Sequence, residues 1–187
     1  MGRYIETFSG GMIDPLDPKP EDIHLSDIIH ALSNICRFTG HTRKFYSVAQ
    51  HSIIVAQAFP KNDMLRLQAL LHDASEAYIC DVASPVKPRL PGYAEIEEKL
   101  MQTIANRFSV PWPFDPVIMK ADFRALLTER RDLMPGNEPP WGPMVVEPFE
   151  DIITPLSPED ARIAYGTALG NRLVALGMLD QAMVGVV

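Results

Sequence analysis

Leu70-Leu71-His72-Asp73-Ala74-Ser75-Glu76 is the stretch on which the reading of this chain turns. It closes an apolar run, Leu65, Leu67, Leu70 and Leu71, with the spacing of a buried helix face. A histidine and an aspartate side by side on such a helix project about 100° apart, so both can reach one ion held just off its surface. Glu76, four residues beyond His72, falls on the same face and sets a second carboxylate beside that spot.

Working outward, Ser47-Val48-Ala49-Gln50 has the form of a capping box, with Ser47 and Gln50 three residues apart. It predicts a helix from Val48 to about Phe59 that carries His51 in its first turn. Asn62 or Asp63 caps the next helix, which is expected to run through the heptad to about Tyr78. Pro85, Pro88, Pro91 and Gly92 make 80–92 a loop. Ile96, Leu100, Ile104 and Phe108, four residues apart, predict a helix over 93–108. Val110-Pro111-Trp112-Pro113 breaks it, and a further helix spans 116–133 from a proline in its first turn. On the N-terminal side, Ser9-Gly10-Gly11 between two β-prone pieces predicts a small hairpin. A proline-rich linker over 14–20, a helix over 26–36 and a loop over 37–46 follow.

The expected fold class is therefore all-α, a helical bundle with a small N-terminal β-hairpin. We expect one domain over 1–187, with its core in about 22–133, a Pro-rich arm over 135–158 and a C-terminal helix over 158–179 that Gly166 and Gly170 weaken. A stretch as long as 135–158 without periodicity is commonly functional or oligomeric.

A formal net charge of −7, with 47% hydrophobic and 22% charged residues, fits a globular chain and argues against a dedicated binder of nucleic acid polymers or anionic membranes. Cys36 and Cys80 form no metal-binding or disulfide spacing. No signal peptide or stretch of about 18 apolar residues stands out, so the expected location is cytoplasmic.

His51, His72, Asp73 and Asp122 are candidates for one metal shell. Two imidazoles and two carboxylates would accept Mn, Co, Fe, Ni, Zn or Mg, with positions left for water and a substrate oxygen. The plain alternative is a pair of hydrogen-bonded core histidines. The chain has no HExxH box, no GxxxxGK[ST] loop and no GxGxxG. Arg37, Arg43 and Lys44 form a basic window in an acidic chain, with His41 between them.

His51, then His72-Asp73, then Asp122 resembles the H…HD…D pattern of the HD-domain metal-dependent phosphohydrolases. The string from Leu70 to Asp81, its continuation Ser84-Pro85-Val86-Lys87, and Lys120-Ala121-Asp122 resemble bacterial 5′-deoxynucleotidases. Arg37-Phe38-Thr39-Gly40-His41-Thr42-Arg43 and Phe45-Tyr46-Ser47-Val48-Ala49-Gln50-His51-Ser52 look like phage relatives that include dATP triphosphohydrolases. The resemblance covers roughly residues 22–130. It implies an HD-domain bundle that hydrolyses deoxynucleotides at the α-phosphate with one divalent metal ion on His51, His72, Asp73 and Asp122. It assigns Glu76 to acid/base work and Arg37 to the phosphate. Asp81 and Ser84 would contact the nucleotide, with Lys87 a weaker match for phosphate. Phe38 stands where the deoxynucleotidases have tryptophan near the sugar. Relatives of this kind tend to be homo-oligomers, and the apolar end Ala182–Val187 suits such a contact. The competing expectation is an HD scaffold that binds metal, nucleotide or a protein partner without turnover.

Overall fold

The computed structural model describes residues 3–136 and 146–178. Within them the chain is mostly helical, with one antiparallel hairpin near the N-terminus. The hairpin pairs β1 (Ile5–Glu6) with β2 (Met12–Ile13), Ile5 opposite Ile13. Gly10 makes its turn with φ 81°, a conformation that costs glycine nothing. The helices are α1 (Leu25–Asn34), α2 (Val48–Ala56), α3 (Asp63–Leu71), α4 (Glu76–Ile79), α5 (Tyr93–Arg107), α6 (Val117–Leu133) and α7 (Pro158–Ala175). The predicted starts are observed where local chemistry sets them. Ser47 accepts from Gln50 N at 3.1 Å, Asn62 from Leu65 N at 3.0 Å, and Ser157 from Asp160 N at 3.1 Å.

α2 and α3 pack on each other, and α7 crosses α1, α2 and α3. Leu32, Val55, Leu67, Leu70, Tyr165, Leu169 and Leu173 are buried at this junction, each worth roughly 1.5–3 kcal/mol of transfer free energy. α7 keeps close to α1 beside Gly166, where an added Cβ would already touch Ile29 at 3.5 Å.

Two expectations change. The helix predicted through Tyr78 stops at Leu71, and a turn over residues 72–75 separates α3 from α4. The freed carbonyls find other partners: His72 Nδ1 donates to Ala69 O at 2.8 Å, Tyr165 OH to Leu70 O at 2.6 Å, and Ala74 N to Leu71 O at 2.9 Å. Gln50, expected to close the capping box, instead donates to Thr154 O at 2.8 Å and accepts from Leu156 N at 2.9 Å. The described end of the Pro-rich arm is accordingly held as a strap. Phe149 N donates to Thr128 Oγ1, Ile153 N to Asp132, and Arg131 to the carbonyls of Phe149 and Asp151. Residues 137–145 and Ala182–Val187 lie outside the described residues. Among the described residues no helix is long and apolar enough to cross a membrane.

Candidate metal centre

The predicted ligands arrive from three helices. His51 stands in the first turn of α2, His72 and Asp73 at the end of α3, and Asp122 in the second turn of α6. His51 Nε2 lies 3.2 Å from His72 Nε2 and 3.1 Å from Asp122 Oδ1. His72 Nε2 is 3.8 Å from the same Asp122 oxygen. Asp73 Oδ2 sits 3.5 Å from His51 Nε2 and 3.3 Å from His72 Nε2.

The two imidazoles have a defined orientation. His51 Nδ1 lies 2.5 Å from Glu129 Oε1, and His72 Nδ1 bonds Ala69 O. An ionised carboxylate and a carbonyl only accept, so each Nδ1 carries the proton. Both Nε2 atoms are then left as lone pairs facing each other beside two carboxylates. Such an arrangement needs a positive charge, either further protons or a metal ion. Burial and the Arg37 charge press the His51 imidazolium down, yet Glu129 and Asp122 outweigh them and raise the group to about 10. Burial likewise opposes the Asp122 carboxylate, but His51 and His72 hold it well below the ordinary range. The end of α3 contributes its partial negative charge as well.

The donor set fits a divalent ion. Ligand bonds of about 2.0–2.2 Å separate neighbouring donor atoms by roughly 3–4 Å, the range found here. The inner wall is dry, with His51 and Glu129 at 0% exposure, while the Asp122 side chain is 43% exposed and marks the open side.

Arg37 reaches this centre because a one-residue bridge between Cys36 and Ser47 closes the 37–46 loop onto the start of α2. Its guanidinium lies 3.5 Å from Asp73 and 3.3 Å from Glu129, and 5.4 Å from the centre of the Phe38 ring. Arg37 Nε is buried without a hydrogen-bond partner. Phe38 takes φ 54° and Cys80 φ 66° with ψ 160°, backbone conformations that are costly for non-glycine residues.

Glu76 opens α4 and is buried. Burial first, then the charges of Asp73 and Asp81, push its carboxyl well above the usual range. Oε1 meets Lys87 Nζ at 3.4 Å, whereas Oε2 is buried without a partner. Burial also raises Asp81, against the pull of Arg37. Lys87, matched to phosphate from the sequence, is engaged by Glu97 at 2.9 Å as well as by Glu76. Ser84 is exposed on the following loop. His41 is exposed, and the Arg43 guanidinium donates to Pro135 O.

Glu129 and Tyr46 join the site without having been singled out by sequence. Tyr46 OH donates to Glu129 Oε1 at 2.8 Å. The available signal was spacing: Glu129 lies seven residues after Asp122, two turns along the same face of α6.

No protein-family model matches the chain. An Escherichia coli (strain K12) protein, YfdR, is 38% identical to it over 160 residues, 84% of this chain and 89% of the relative. The chain belongs to the YfdR family. A second relative, RCAP_rcc00048 of Rhodobacter capsulatus, is 40% identical over 111 residues, 55% of this chain and 57% of its own length. Both YfdR and this second relative are named as uncharacterized proteins, so family membership by itself carries no activity.

Proposed function

We propose that the chain is an HD-domain phosphohydrolase that hydrolyses deoxynucleotides at the α-phosphate with one divalent metal ion. The observation that carries this reading is the pair of oriented imidazoles, Nε2 to Nε2 at 3.2 Å, closed by Asp73 and Asp122 with Arg37 alongside. His51, His72, Asp73 and Asp122 would hold the ion. When bound, it would lower the pKa of water and neutralise phosphoryl charge.

The remaining residues have separate tasks. Arg37 presents a buried, unpartnered Nε–H to a phosphate oxygen, a charge-assisted bond in a dry setting. Glu76, buried and with one oxygen unpartnered, takes or orients the proton of the attacking water. Lys87 holds the other Glu76 oxygen, and Glu97 anchors Lys87. In this reading Lys87 also supports Glu76. Asp81 faces the same charges and would contact the nucleotide.

The test is release of phosphate, triphosphate and nucleoside from a panel of deoxynucleoside mono- and triphosphates with Mn, Co, Mg or Zn. Nucleoside plus phosphate identifies a 5′-deoxynucleotidase, and nucleoside plus triphosphate a triphosphohydrolase. Hydrolysis of nothing in the panel would overturn the reading and leave a metal- or nucleotide-binding scaffold.

A further inference from the structure

The inward-facing groups of this site converge on Glu129. One oxygen meets both His51 Nδ1 and Tyr46 OH, and the other lies 3.3 Å from Arg37 Nη2. Its side chain is completely buried. A carboxylate in that position is costly unless charge and hydrogen bonds compensate it. The compensation comes from α2 and from both ends of the loop before it.

We propose that Glu129 is a positioning residue for both halves of the site. By accepting from Nδ1 it keeps the His51 proton on that nitrogen and leaves Nε2 free to bind metal. By pairing with Arg37 it fixes the guanidinium beside Asp73, where a phosphate would be met. This rests on the metal-site reading, not on which nucleotide is cleaved. It differs from a purely structural ion pair, which would support the fold without governing which His51 nitrogen binds metal. Carboxylates behind a ligating histidine act in this way generally, and their loss weakens metal binding by about 10- to 100-fold.

The experiment uses the full chain with zinc alone. Wild type, Glu129→Gln, Glu129→Ala and Tyr46→Phe are titrated with Zn(II) by calorimetry. The imidazole nitrogens of the zinc-loaded proteins are followed by 15N NMR. Wild type should show His51 bound through Nε2 with a slowly exchanging proton on Nδ1. Glu129→Gln keeps the shape and an accepting oxygen but loses the charge, and should weaken zinc binding by about 10-fold. Glu129→Ala should weaken it by about 100-fold and release the Nδ1 proton to fast exchange. Tyr46→Phe removes one donor to the Glu129 oxygen that orients His51 and should weaken zinc binding by less than either Glu129 variant. Unchanged zinc affinity and an unchanged His51 spectrum in the Glu129 variants would overturn the proposal. Where Glu129→Ala does not fold, Glu129→Gln decides. Wild type that binds no divalent ion would sink the metal reading itself; equal binding by wild type and variants would sink only the role of Glu129.

Discussion

Glu76 and Asp122 are both carboxylates of one site, yet their surroundings drive them in opposite directions. Asp122 is held ionised by two imidazoles, whereas Glu76 is driven towards the protonated form by burial and by Asp73 and Asp81. Two carboxyl groups with such divergent environments are suited to different work, one to charge and one to proton transfer. On the proposed phosphohydrolase reading, Glu76→Gln should keep metal content and deoxynucleotide affinity while lowering kcat by about 10²–10⁴-fold. Steady-state kinetics and metal analysis after dialysis check this, and full turnover in the variant would remove Glu76 from the chemistry. The candidate ligands were nameable from sequence because His51, His72-Asp73 and Asp122 occur as recognisable strings. Glu129 was not: a single acid on α6 looks like a solvated charge until the fold places it against His51. Lys87 reads differently in the fold for a related reason, since its partner Glu97 lies on another helix.

At the scale of elements, helix starts were readable and one helix end was not. Ser47, Asn62 and Ser157 each cap through a contact three residues away, which the sequence displays directly. The stop after Leu71 depends on Tyr165, 95 residues later, which takes up the Leu70 carbonyl, so no local pattern announces it. The break matters for the site because it places His72 and Asp73 at a helix terminus instead of within a helix. Gln50 is the corresponding long-range contact for the strap. Gln50→Leu should strand Thr154 O and Leu156 N and cost about 1–3 kcal/mol. Urea unfolding measures it as a lower midpoint at unchanged slope; a midpoint equal to wild type would mean that the strap contributes nothing to stability.

For the molecule as a whole, the candidate ligands come from α2, α3 and α6, so an ion bound there would cross-link the middle of the bundle. An ion that binds only the folded chain should add about 2.7 kcal/mol at a concentration of 100 times Kd. A rise in Tm with added Mn, Co or Zn that a chelator reverses checks this, and a Tm indifferent to every divalent ion would contradict the cross-link. The position of α7 has a different kind of consequence. It is the last described helix in the chain, yet Tyr165, Leu169 and Leu173 are completely buried against elements made much earlier. During synthesis, α1 to α3 are made with the faces that α7 covers still exposed, and these stay so until α7 has emerged as well. The nascent chain thus carries uncovered apolar surface for part of its synthesis, and a ribosome stalled before Pro158 would display the heptad at 70–76 without the helix that holds it in shape.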